Sequence, residues 1–556
     1  MRELVLVAKH TPVWLDQLAR AHRRPITRLD QIPDEALARL SNDGFTGLWL
    51  VGIWERSPAS AAIKRRRGQP SAGASAYSIF EYRVADSLGG DDAAEQLQER
   101  ALRHGIRLAV DVVPNHVGID SRWVREHPDW LLQVDRAPFP RYRFAGPDLS
   151  GDPEIGIYLE DHYDDHSDAA VVFRLLERRS GRERFIYHGN DGTHTPWNDT
   201  AQLDYTRPEV RTAMRELIAG LARRFPVLRF DSAMTLARRH FLRLWFPAPG
   251  DEGAVPSRRN HRVSPAELAR RMPEEPWREI TRQVSLEAPG TLLLAEAFWL
   301  MEAYFVRELG MHRVYNSAFM HRLVAGESEK LVELVAGTLR LEPGLLGRYA
   351  NFLTTPDEAP AAEQLGRGDR YFGACAVLAS FPGLPLFGHG QVEGLEEKYG
   401  MEFVRALQDE EPDPALIERH RREIVPLLRL RSRLGAPASF VPLELVDERR
   451  GSVRGEVFAY CSGAGAEAVV VAFNNSPVTV RGFLAPRGLR RGEDPDTPAL
   501  AERLGAGTAG GAALRFRDLR HGDESTRPIS EVASGGLALL LGPWQSVAWG
   551  DFRLVR

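Results

Sequence analysis

"IRLAVDVVPNH", residues 106–116, decides how the rest of the chain is read. Ile106 to Val113 is short, apolar and rich in β-branched side chains, as a strand buried on both faces must be. Asp111 sits inside it, and Asn115 and His116 follow Pro114 at its C-terminal end. The stretch before it, "DDAAEQLQERALRHG" (91–105), has acids early, bases late and Gly105 at its close, so it reads as a helix. A helix followed by a doubly buried strand is one unit of a parallel sheet.

Further units lie on both sides. "GLWLVGI" (47–53), "VLRFD" (227–231), "TLLLAEA" (291–297), "RVYNSAF" (313–319), "RYANFL" (348–353) and "PGLPLFG" (382–388) read as strands. "PEVRTAMRELIAGLARRF" (208–225) reads as a helix opened by proline. The number of units points to an α/β fold, a (β/α)8 TIM barrel, rather than an open sheet. Two regions break the rhythm. Residues 116–206, rich in Asp, His, Trp, Pro and Gly, are too long for a βα loop and read as a subdomain inserted after strand 3. After about 436, "EVFAYC", "EAVVVAFNN", "GGLALLLG" and "QSVAWGDF" are short strands between Gly-rich turns, as in a β-sandwich. The expected division is therefore 1–115 and 207–435 for the barrel, 116–206 for the insertion and 436–556 for the C-terminal domain. Residues 485–530 are expected as long loops.

The chain has 556 residues, 43% hydrophobic and 27% charged, ample for a large core. Its net charge of −4 offers no basic face for nucleic acid. Cys375 and Cys461 make no disulfide framework. No run of 18 apolar residues predicts a membrane span, and the polar-interrupted start "MRELVLVAKH" does not read as a signal peptide. Together these place the protein in the cytoplasm as an expectation; the oligomeric state is not legible.

In a βα barrel the C-terminal strand ends face the active site. Here they present Asp111, Asn115 and His116, then Arg229 and Asp231, then Glu296, then Asp357. Carboxylates converging at one mouth suit glycosyl transfer, in which one is nucleophile and another acid/base. Each acid alone would more often be a turn residue, Asp357 after Pro356 above all.

These residues stand in stretches that resemble the α-amylase superfamily, glycoside hydrolase family 13. "DVVPNH" (111–116), "LRFDSA" (228–233), "LLLAEAF" (292–298) and "NFLTTPD" (351–357) are similar to its four signatures, in order. "AYSIFEYRVADSLGG" (76–90) and "QLDYTRPEVR" (202–211) are similar to two further family segments. The resemblance implies a retaining enzyme acting on α-glucan or malto-oligosaccharide. Asp231 would be the nucleophile, Glu296 the acid/base and Asp357 the third catalytic acid. Arg229, Tyr77 and His116 would meet the first sugar, and Asp111 would brace Arg229. Trp197, with His194 and Asp199, would frame a sugar subsite, and His389, Gln391 and Glu393 would line the mouth. No cofactor is required, and calcium is an option through Asn115.

Three departures bear on the substrate. The family's Lys-His pair after the second signature is Met234-Thr235, and the Asn-His before the fourth acid is Thr355-Pro356. The Thr-Pro-Asp ending is similar to that of maltosyltransferases, and Arg238, Arg239 and Lys398 could meet a sugar phosphate. Transglycosylation, sugar-phosphate donation and a non-catalytic glucan-binding role therefore stay open beside hydrolysis.

Overall fold

The computed structural model describes residues 3–555 apart from 166, 194, 249, 251–252, 435–438, 488–498 and 507–512. The expected boundary at 435/436 and His194 lie outside the described residues.

Eight strands close into a barrel: β1 (Leu6–His10), β2 (Gly47–Val51), β3 (Arg107–Val112), β4 (Val227–Phe230), β5 (Leu292–Ala295), β6 (Arg313–Tyr315), β7 (Tyr349–Phe352) and β8 (Leu384–Phe387). All neighbours are parallel, and Leu6 opposite Leu386 closes the ring. The continuous apolar runs follow from this closure. Leu6, Ala8, Trp49, Val51, Ala109, Val227, Leu294 and Phe352 fill the barrel interior. Their neighbours Val5, Val7, Leu48, Leu50, Val110, Leu228 and Leu293 pack outward into the main core. With period two, both faces must be apolar.

Two strand expectations need correcting. β1 was not among the expected strands, since Glu3 and Lys9 interrupt the apolar run at the N-terminus. The Lys9 ammonium is nevertheless buried against Glu393 at 2.7 Å, so the strand tolerates it. "RVYNSAF" is a strand only through Tyr315; Ser317–Ala325 is helix.

Between β3 and β4, the inserted region holds a four-stranded antiparallel sheet of Gln133–Val134, Ile155–Tyr158, Val172–Glu177 and Arg182–Tyr187. His116–Gly118 pairs with Thr200–Gln202 where this region leaves and rejoins the barrel. The C-terminal strands form one eight-stranded antiparallel sheet. Val469, Val471 and Phe473 pack on the barrel side, while Val470 and Ala472 face a second core. Leu514 and Leu539, from opposite flanks of the sheet, both enter that second core, so the sheet curls around it. Residues 485–530 are not all loop: Ala513–Asp518 and Glu524–Pro528 are strands of this sheet. Cys375 and Cys461 are free and buried. Among the described residues no helix is long and apolar enough to cross a membrane.

Candidate active site

Arg229 and Asp231 are two residues apart, so they share the inward face of β4 and its continuation. Arg229 is 0% exposed and is the hub of the site. Its Nη1 donates to Asp231 Oδ1 at 2.6 Å and to Asp111 Oδ1 at 3.3 Å. Its Nη2 lies 2.9 Å from Glu296 Oε2. Its Nε donates to the Tyr315 hydroxyl at 3.2 Å, and Nη1 also reaches the Tyr77 hydroxyl at 3.3 Å. The Trp49 ring lies 5.0 Å from its guanidinium carbon. Burial works against this charge, but Glu296, Tyr315, Tyr77 and Asp231 outweigh it and hold the proton well above the ordinary arginine value.

Glu296 follows β5. Burial pushes its carboxyl up to about 8, with Arg229 opposing and Asp231 and Asp357 adding to the rise. The Ser232 amide donates to its Oε2 at 2.7 Å, and its backbone carbonyl accepts from the Ala233 amide at 2.9 Å. Ser232 itself is held at φ +43°, a left-handed conformation that non-glycine residues seldom adopt. The nucleophile candidate and the acid candidate are thus joined through three consecutive residues, 231–233.

Asp111 is buried behind Arg229 and also accepts the Trp49 indole N–H at 3.1 Å. Burial, with Arg229 opposing, pushes its carboxyl up to about 7. Its contact with the rest of the site therefore runs through Arg229.

Asp357 is the exposed acid of the set. Its backbone N–H donates to Thr355 Oγ1 at 3.2 Å, the turn that the Thr-Pro-Asp sequence dictates. Its carbonyl accepts from Lys398 Nζ at 2.5 Å. The crowding behind its carboxyl raises it, with Arg229 opposing and Asp231 adding. Water at the mouth screens that shift, so the exposure governs how far it goes.

His116 and Trp197 come together, ring centroids 5.0 Å apart. Burial lowers His116 to about 4, so it is a neutral imidazole. Trp197 is half-buried and tied by its backbone N–H to the Gly189 carbonyl at 2.8 Å. Asp199 accepts from Ser60 Oγ at 2.6 Å, a bond that ties the insertion to the barrel, and its charge also acts on His116. The mouth expectation needs a correction. Gln391 is buried against Cys375, and Glu393 pairs with Lys9. His389 is closer to the mouth but is engaged on both ring nitrogens, by the His10 amide and by Gln17 Oε1. Arg238 and Arg239 line a groove of about 890 Å³ with Arg278, Arg282 and Glu308, whose walls include none of the four acids.

Asn115 was the calcium option. Gln202 donates to its Oδ1 at 3.0 Å, and its Nδ2 donates to Gln202 Oε1 at 3.1 Å. Both ends of the amide are therefore hydrogen-bonded to the same partner. Among the described residues no group of three His, Cys, Asp or Glu is arranged to hold a metal. Calcium needs six to eight oxygens, which Asn115 cannot supply by itself.

Tyr315, Trp49 and Ser232 were not singled out from sequence. Tyr315 closes β6 as Asp231 and Glu296 follow β4 and β5, which is the signal that could have found it. Ser232 carries no sequence signal beyond adjacency to Asp231, since its contribution is a backbone N–H.

No curated protein sequence matches the chain. It is similar in structure to the alpha-amylase of Geobacillus thermoleovorans complexed with acarbose, with 14% identity, 99% of this chain and 98% of that one covered, and a TM-score of 0.61. A maltogenic alpha-amylase of Thermotoga neapolitana matches at 13% identity, 100% of each chain and a TM-score of 0.61. A debranching enzyme of Nostoc punctiforme matches at 15% identity, 99% and 98%, and a TM-score of 0.59. At such identities the likeness is one of fold. Residues 34–298 match the family model of the alpha-amylase catalytic domain. That span takes in Asp111, Arg229, Asp231 and Glu296 on consecutive barrel strands, so the part of the chain that carries these residues is similar to the alpha-amylase catalytic domain.

Proposed function

We propose that the protein is a retaining glycosidase acting on α-glucosidic bonds of malto-oligosaccharide or glycogen-like substrates. The observation that carries this is the contrast between two carboxyls on one guanidinium. Asp231 is in a 2.6 Å ion pair with Arg229, while Glu296, although it touches the same arginine, has its carboxyl pushed up to about 8 by burial. Paired acids in unlike environments divide into nucleophile and proton donor. The Asp231 carboxylate attacks the anomeric carbon as Glu296 gives its proton to the departing oxygen, leaving a β-glucosyl ester on Asp231. Glu296, now a carboxylate, takes a proton from water, and the water oxygen displaces Asp231. Asp357 accepts hydrogen bonds from sugar hydroxyls at the mouth, and Tyr77 offers a ring face to the same sugar.

The solved structures of similar fold include a maltogenic amylase, a debranching enzyme and a cyclic maltosyl-maltose hydrolase from Arthrobacter globiformis, so linkage has to be measured. Wild-type protein and the Asp231→Asn variant are incubated with maltoheptaose, isomaltose, trehalose and maltose-1-phosphate, and the products separated. Shorter products alone support hydrolysis. Products longer than the substrate support a transglycosidase, in which a sugar hydroxyl replaces water in the second step. Turnover by neither protein, or equal turnover by both, refutes the catalytic reading.

A further inference from the structure

Pro356 stands where the family's fourth signature has a histidine, and a proline has neither an imidazole nor an N–H to offer a sugar. Directly beside it lies a small cavity lined by Thr355, Pro356, His10, His389, Lys398 and Tyr399, among others. His10 is the last residue of β1, at the C-terminal end of the barrel, and is only 4% exposed. Neither of its ring nitrogens has a hydrogen-bond partner among the described residues. The carbonyls of Gly400 and Met401 are near the ring but outside hydrogen-bond geometry. Its neighbour His389 cannot serve instead. His389 Nδ1 accepts the His10 backbone N–H at 3.1 Å, which directs its Nε2–H to Gln17 Oε1 at 2.9 Å.

A buried imidazole left with two idle nitrogens is costly unless something polar enters its cavity. The cavity has about 40 Å³ of room. That admits a hydroxyl or hydroxymethyl group, or a water molecule, and not a sugar ring. Its wall is contiguous with Asp357 on one side through Pro356 and on the other through Lys398, which donates to the Asp357 carbonyl. A glucosyl ring held at Asp357 would therefore have the cavity beside it.

We infer that His10 replaces the contact that Pro356 cannot make: its imidazole hydrogen-bonds one hydroxyl of the donor glucosyl unit, reached through this cavity from the first barrel strand. His10 is on this view a specificity-determining residue, and the inference rests on the glycosidase reading above. The competing occupant is an ordered water with no part in recognition.

The test compares wild type, His10→Leu and His10→Gln on α-glucosyl fluoride and its 2-, 3-, 4- and 6-deoxy analogues, following fluoride release. Taking the ratio of wild type to variant on each compound cancels the intrinsic reactivity of the analogue. The expected result is a loss of roughly 10- to 100-fold in kcat/KM for His10→Leu on the parent compound, absent on the one analogue that lacks the contacted hydroxyl, with partial recovery in His10→Gln. A loss equal on all five compounds, or no loss on the parent, overturns the inference in favour of a water site. If His10→Leu does not fold by circular dichroism, the same ratios are read from His10→Gln. If the wild type turns over none of the compounds and no α-glucan, the glycosidase reading falls. Equilibrium binding of glucose and its deoxy analogues to wild type and variant then decides on His10 alone: a hydroxyl-selective difference upholds it and a uniform one overturns it.

Discussion

Arg229 Nη2 lies 2.9 Å from Glu296 Oε2, while Nη1 of the same guanidinium lies 2.6 Å from Asp231 Oδ1. One planar cation therefore sets the spacing of the two carboxyls. A lysine keeps the charge but cannot bridge two acids in a fixed plane. Arg229→Lys is expected to lower kcat/KM by about 10²- to 10⁴-fold with KM changed far less, an order of magnitude taken from misplacing a catalytic group. Arg229→Ala strands Asp111, Asp231 and Glu296 without their common partner and is expected to destabilise the fold by ~3–5 kcal/mol. Urea titration of the two variants separates the effects. An Arg229→Lys enzyme with wild-type kcat would refute the spacing argument.

The pH profile has a definite sign. A general acid works while protonated, and Glu296 holds its proton up to about 8. kcat/KM should be intact through neutral pH and fall with unit slope above about 8. Linkage runs in the same direction. A carboxyl whose folded value lies above its unfolded one loses folding stability as pH rises from the ordinary glutamate range to about 8. Glu296→Gln carries no such proton, so its melting temperature should gain on wild type between pH 5 and pH 8. A constant difference across that range would show that the wild-type group is already ionised at pH 5.

Asp357 is exposed and Asp231 is not, so their substitutions should part company. Asp357→Asn is expected to reduce turnover by about 10²-fold or more, on the scale of losing charge-dependent contacts made in the transition state, with no change in melting temperature. A thermal shift of several degrees on this substitution would mean that the Thr355 turn, rather than sugar binding, depends on the acid.

Ser232 combines a left-handed backbone with an N–H donated to Glu296. Ser232→Gly keeps the amide and removes the strain, so activity should persist and stability hold or rise. Ser232→Val forces a β-branched side chain into that conformation and is expected to cost ~1–3 kcal/mol and to displace Glu296, lowering kcat. Equal behaviour of the two variants in kcat and melting temperature would argue against any coupling through residue 232.

The Asn115–Gln202 amide pair takes the position where calcium was an option. A chelator should leave the melting temperature unchanged, whereas Gln202→Ala leaves the buried Asn115 amide unpaired and should cost ~1–3 kcal/mol. A calcium-dependent rise in melting temperature would refute the amide-pair account.

The barrel was legible because both faces of its strands are buried, which makes most of each strand an apolar run. "IRLAVDVV" and "TLLLAEA" announce that without any neighbour in view. β1 was obscured for the same reason in reverse: Lys9 is paid for by Glu393, 384 residues away in the chain, a compensation no local pattern contains.

Order along the chain and residue type were enough to mark Asp231, Glu296 and Asp357 as candidates, since successive strand ends must meet at one mouth once the sheet closes. Which of those groups touch, and which stay hidden, depended on tertiary distances. Asp111 lies behind Arg229, the Asn115 amide is closed by Gln202, and Glu393 turns to Lys9. So did the standing of His10, an unremarkable residue at the end of a strand until packing buried its ring beside Pro356 and left both nitrogens idle. Sequence determines which groups are available at the mouth. Burial and partners, which set charge state and hydrogen bonding, exist only after the chain has closed on itself.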